Sequence, residues 1–242
     1  MARLSKEVYV KAETLRFRKR FARIIKLAAL CLLVFLIVVY IILQVIYNEG
    51  MFTVTLDSNA TLESGIAVYE SLNDPTGRRK LAATPISFMD NISVNWLPKD
   101  IHTGGAEGSH NGQNYIAYTF YIENQGKEIL NYWYQFILDD VIKNVDEAIR
   151  IRIYRNDEMK TYAKANSLTG DPEDGTELFE KIGDPKKNII ILEQRKNFKP
   201  GDRDKFTVVM WIEGDDPDCV DALIGGELKV HMNITEEHIE AN

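Results

Sequence analysis

The run Ile149-Arg150-Ile151-Arg152-Ile153-Tyr154 puts an apolar side chain at every second position and an arginine between each pair. Successive side chains of a strand point to opposite faces, so this spacing predicts a strand with one face in a core and the other toward water. The same period recurs to either side. Ile116, Tyr118, Phe120 and Ile122 form one row, and Tyr132, Tyr134, Phe136 and Leu138 form a second. Phe206, Val208, Met210 and Ile212 make a third, and Leu228, Val230, Met232 and Ile234 a fourth. Shorter strand candidates are 52–56, 66–69, 86–96, 178–182 and 189–192. That many short strands predict an all-β domain, an antiparallel two-sheet sandwich of jelly-roll or immunoglobulin-like kind.

Turn chemistry marks the boundaries. Glu123-Asn124-Gln125-Gly126 closes one strand, Lys199-Pro200-Gly201-Asp202 opens another, and Gly225-Gly226 precedes the last. The glycine-rich run His102 to Asn114 has no large apolar side chain before Tyr115 and is expected to be a mobile loop, as is 171–175. Short helical turns are expected at 140–147 and 219–224.

Upstream of the strands the chain changes character. Leu27 to Tyr47 is 21 residues without a charge. As a helix this run is about 31 Å long, enough to cross the hydrocarbon core of a bilayer. The flanks differ in charge. Of the chain's 29 Lys and Arg, nine lie in residues 1–26, against Glu7 and Glu13 only. The remaining 216 residues carry 20 basic and 34 acidic side chains, so a tail of +7 precedes a body of −14. The basic flank predicts three regions, a cytoplasmic tail at 1–26, an uncleaved signal anchor at 27–47 and an extracytoplasmic domain at 48–242, ahead of the alternatives of a cleaved secretory signal or a helix buried in a soluble protein. This gives a single-pass plasma-membrane protein with its C-terminal domain outside. So acidic a body repels phosphate backbones, and nucleic acid is excluded as its partner. Cys219 is the one cysteine beyond the anchor, so no disulfide forms within that domain, and its thiol is expected to pack as a small hydrophobe.

Signatures of catalysis are missing. There is no G-x-S-x-G elbow, no phosphate-binding loop and no H-E-x-x-H helix, and the four histidines lack ligand spacing. The expectation is a protein that is not an enzyme and carries no cofactor. One cluster invites a metal. Glu213, Asp215, Asp216, Asp218 and Asp221 place five carboxylates in nine residues after a strong strand, hard oxygen ligands of the type calcium takes, though not at EF-hand spacing. The alternatives are that Asp215 or Asp218 caps the turn at 219–224, or that the charge is simply solvated. An extracellular hydrolase using the 213–221 loop is a further alternative. Trp96, Trp133 and Trp211 fall off the inward rows or near strand ends, where they either pack under a second covering layer, the reading favoured here, or suit stacking on glycans or on partner proteins.

Tyr118-Thr119-Phe120-Tyr121-Ile122-Glu123-Asn124-Gln125-Gly126, followed by Ile129 and a strand to Leu138, resembles the F-x-F-x-N-x-G segment of the TasA and camelysin family of Gram-positive surface and biofilm-matrix proteins. The resemblance covers about half of the exported domain. It implies self-association into fibres, with an N-terminal strand of one subunit completing the sheet of the next; Phe52, Val54 and Leu56 are the matching segment here. The retained anchor departs from family members that assemble as released fibres, and implies a tethered variant or an assembly base. The protease activity described for camelysin is not carried over, because no corresponding residues are present. The expected function is a membrane-anchored surface protein acting by binding or by fibre and matrix assembly. Trp133 and Trp211 are its candidate contact aromatics, and the alternative is a carbohydrate- or protein-binding adhesion module that does not polymerise.

Overall fold

The structure is a computed structural model describing residues 21, 23–42, 51–57, 65–179 and 188–238. The chain divides into two compact units, Met1–Asn48 and Glu49–Asn242. In the first, Arg23–Ile42 forms one helix, α1, whose 20 residues are long and apolar enough to cross a membrane. The part of the expected span from 43 to 47 lies outside the described residues.

The second unit is a β-sandwich. Its strands are β1 (Phe52–Leu56), β2 (Ile66–Tyr69), β3 (Lys80–Ala82), β4 (Gly108–Ser109), β5 (Ile116–Asn124) and β6 (Leu130–Ile142). They continue as β7 (Ile149–Arg155), β8 (Glu158–Ala163), β9 (Glu177–Leu178), β10 (Ile189–Phe198), β11 (Arg203–Ile212) and β12 (Glu227–His238). One sheet has the order β10-β6-β12-β1-β3, and the other the order β2-β5-β11-β7-β8-β9, with β4 also on β5. The expected inward rows all face the shared core. Aromatic rings lock the layers together: Phe52 meets Tyr118 edge-on at 6.0 Å, and Tyr134 meets Phe206 at 5.2 Å.

The sheets are mixed rather than purely antiparallel. β1 runs parallel to β12, with Phe52 opposite Val230, and β8 runs parallel to β9. Parallel neighbours need a crossover connection, and for β1 and β12 that connection is nearly the whole domain. Consequently β12 is paired on both edges, to β1 and to β6.

Segment 86–96 is not a strand. Ile92 makes a single bridge to Glu213, and Val94–Trp96 is one 3₁₀ turn. Ile86 and Met89 pack at the margin of the main core, while Ile92 and Val94, together with Leu97 and Ile101 beyond the segment, cover the outer face of the seven-stranded sheet on Ala117, Tyr154, Val209 and Trp211. That cover explains why β5 and β11 are buried on both faces. The helical expectations shrink to single 3₁₀ turns at Val145–Glu147 and Asp221–Leu223, because β6 runs on to Ile142. The glycine-rich run is tied down: Gly108 and Ser109 pair with β5, and Asn111 donates to Thr84 O and accepts from Ala117 N. Of the 178–182 candidate, Leu178 belongs to β9 and residues 180–182 lie outside the described residues, while β10 extends well past Leu192.

The Asn-Gly turn after β5 is a structural knot. The buried Asn124 side chain donates to Glu128 O and Phe198 O and accepts from Gly126 N. Gly126 has no room for a side chain, since a Cβ there would lie 2.8 Å from the Gly65 Cα.

Candidate binding site

The five carboxylates after β11 do not converge. Glu213 turns back under its own strand, where Oε2 accepts from Trp211 Nε1 at 2.9 Å and from the Val94 amide at 3.0 Å. This answers the placement of Trp211: its indole is buried against the covering segment and is not a contact aromatic. An off-row tryptophan goes inside here because a carboxylate meets its N–H and a second apolar layer covers its ring. Asp215 and Asp221 are exposed.

Asp216 and Asp218 come together with Glu173, a residue that the strand and motif pattern does not single out. Ligand oxygens of these three side chains lie within 4.8 Å of one another. Their charge is met by the protein itself. Arg150, buried on the outward side of β7, places Nη2 2.7 Å from Asp216 Oδ2 and 3.9 Å from Glu173 Oε2. The Asp216 contact is an ion pair without hydrogen-bond alignment, while its Oδ1 accepts from the Asp218 amide at 2.8 Å. Asp218 accepts from the hydroxyl and the amide of Ser167, which hold its carboxyl below the usual range. Asp218 therefore ties loop 164–176 to the acidic loop, and the turn at Asp221–Leu223 has Val220 at its N-cap with no side-chain cap from Asp215 or Asp218.

Beside this clamp lies a cleft of about 350 Å³ lined by Arg150, Arg152, Thr161, Trp211, Glu213 and Asp216, among others. Its named polar groups are turned on each other: Arg152 donates to Thr161 Oγ1 at 2.8 Å and stacks over Trp211 at 5.1 Å. The histidines are scattered. His102 stacks on Tyr154, His110 bonds backbone carbonyls, His231 faces Asp139, and the His238 side chain lies outside the described residues. Cys219 is half-buried, and its sulfur accepts from Asn91 Nδ2 rather than packing as a hydrophobe.

The outer face of the five-stranded sheet is different. Among the described residues no segment covers it. Tyr132, Tyr134 and Phe136 point inward from β6, which leaves Asn131, Trp133, Gln135 and Ile137 outward and half-buried. Register aligns these with β12, β1 and β10. Thr55, Asn233, Gln135 and Leu192 form one row across four strands, and Thr235, Trp133 and Gln194 form the next. Glu237 fixes the second row: its Oε2 accepts from Trp133 Nε1 at 3.1 Å and from Gln194 Nε2 at 2.6 Å. Asn131 reaches the same oxygen at 3.5 Å. Of the segment expected to pair between subunits, Phe52 and Val54 are buried in the core and Leu56 packs at its margin, so β1 is seated in its own sheet. Trp96 stands exposed at the end of its 3₁₀ turn.

No family model matches the chain, and no curated protein matches it. Among solved structures it is similar to the crystal structure of a beta-glucosidase from Kluyveromyces marxianus in complex with glucose, at 14 % identity over 81 % of this chain and 18 % of that one. With a TM-score of 0.25, that likeness carries no argument about fold, activity or ligand.

Proposed function

We propose that the chain is a single-pass membrane protein that displays its β-sandwich on the side opposite the basic N-terminal tail, as a binding module rather than an enzyme. The supporting observation is the contrast between the two outer faces. One is covered over β5 and β11 by 92–101, and in the cleft beside that cover Arg152 is turned onto Thr161 and Trp211, while the other carries an indole and four side-chain amides held in register on its strands. Residues on such a platform are positioned before a partner arrives, which lowers the ordering cost of binding. The +7 tail supports the orientation by the excess of positive charge on the cytoplasmic side. The resemblance to the TasA and camelysin family adds a Gram-positive surface or matrix setting to this reading.

The test uses the full chain solubilised in a detergent without sugar groups and incubated with cell envelopes. Retention that drops on changing Trp133 and Gln135 together to Ala, with the melting temperature unchanged, is the expected result. Equal retention of both proteins overturns the binding-face reading.

A further inference from the structure

We propose that the Trp133 face binds a neutral glycan of flat, β-linked hexopyranose units. This deepens the binding-module reading and rests on it.

The chemistry of the face selects the ligand. Trp133 lies half-buried in a strand, its N–H anchored to Glu237, so the ring is held in one orientation across the outer surface. A rigid indole is a platform for the axial C–H groups of an equatorially substituted sugar, because its face carries partial negative charge. Around it stand Asn131, Gln135, Gln194, Asn233 and Thr235, side chains that both donate and accept. Hydroxyl groups have the same dual character. Neighbouring strands are about 4.8 Å apart, so the row from Thr55 to Leu192 spans about 14 Å, the reach of roughly three sugar units.

The competing occupants fit less well. A second copy would bring another body of −14 against this one, and the face offers few apolar side chains to offset that repulsion. An anionic polymer meets the same field. On β3, β6 and β12, Lys80 opposite Thr55 and Lys229 opposite Asp140 are offset by Asp140, by Glu237 and by Asp139, which pairs with His231 at 2.7 Å, so these strands offer no net positive charge to attract one. A neutral polyol encounters neither penalty.

The test is calorimetric titration of the full chain in lipid nanodiscs with cellohexaose and, separately, chitohexaose, which distinguishes plain from N-acetylated sugars. Binding of at least one is expected. Trp133→Ala should weaken it about tenfold or more at unchanged melting temperature, and Trp133→Phe should weaken it less. If Trp133→Ala does not fold, the Gln135→Ala and Gln194→Ala variants carry the same expectation. Absence of heat with both sugars up to about 5 mM overturns the proposal, as does binding that is indifferent to all of these variants. Envelope retention that depends on Trp133 without sugar binding overturns the glycan and leaves the binding face standing, with a protein as its partner. Dimerisation that depends on Trp133 also overturns it.

Discussion

Arg150 and Asp216 form an ion pair at 2.7 Å in which both side chains are at least nineteen-twentieths buried, and it joins the outward side of β7 to the acidic loop after β11. Two charges out of water depend on each other, and removing one strands the other. Arg150→Met is therefore expected to cost about 3–5 kcal/mol, and Asp216→Leu a similar amount, with the double variant more stable than either single one. Chemical denaturation of the three variants checks the ordering. Additive losses would show that the pair does not couple.

The same arginine bears on calcium. Asp216 Oδ2 faces Arg150, and both Asp218 oxygens are taken by Ser167, so an ion would have to displace protein partners and sit near a guanidinium. A site with a Kd of about 50 μM would add about 2.7 kcal/mol at about 5 mM calcium. For a domain of this size that is a rise of about 5–10 °C. The expected shift in a thermal melt is below about 1 °C, and a rise of several degrees would assign the ion to Glu173, Asp216 and Asp218.

The sandwich is legible wherever the residues of a strand alternate in polarity, even where, as at Arg150, the polar side is buried by an ion pair. Ile149 to Tyr154 alternates because its odd positions enter the core, and the alternation is equally plain in Leu228, Val230, Met232 and Ile234. Legibility fails where a second layer arrives from elsewhere. Trp211 sits at a polar phase of β11 and yet is buried, since Ile92 and Leu97 cover it and Glu213 satisfies its N–H. Segment 86–96 reads as a strand because it is apolar, and apolarity alone does not distinguish a strand from a covering loop. Glu173 lies in an Asp-Pro-Glu-Asp-Gly turn, and its link to Arg150 is purely tertiary, so no local signal points to it. The parallel seat of β1 on β12 joins residues 178 apart, which no local pattern encodes.

Glu193 gives a pH dependence. It reaches from the edge strand β10 to Lys160 and Tyr162 of β8, tying the two sheets together. Burial alone would raise its pKa, but the hydrogen bonds from Lys160 and Tyr162 and the charge of Lys160 outweigh it, and the carboxyl titrates below its ordinary 4.5. A depressed pKa means that the contribution of Glu193 is fully present above about pH 4.5 and is lost as pH falls through the lower folded value. Glu193→Gln should melt at a lower temperature than the wild type near neutral pH and lose less between about pH 5 and pH 3. Parallel melting curves across that range would show that Glu193 is not a source of the acid sensitivity.

Phe52 decides how fibre assembly through β1 can work. Its ring is fully buried, stacked on Phe136 at 5.8 Å and edge-on to Tyr118, and its strand is hydrogen-bonded on both sides within its own chain. For β1 to complete a neighbour's sheet it must first leave this seat, which uncovers Phe52 and Val54 and opens the edge of β12. Phe52→Ala removes the ring without removing the strand and is expected to cost about 3–5 kcal/mol. Deleting residues 48–57 removes both, so the expected result is loss of the cooperative melt in circular dichroism, not a soluble folded monomer. If the shortened chain keeps a cooperative melt whose midpoint a peptide spanning 48–57 raises, or regains one when the peptide is added, β1 is exchangeable and assembly by strand donation gains its mechanism. If it simply unfolds and the peptide has no effect, β1 is a core strand of its own subunit, and any self-association must use another surface.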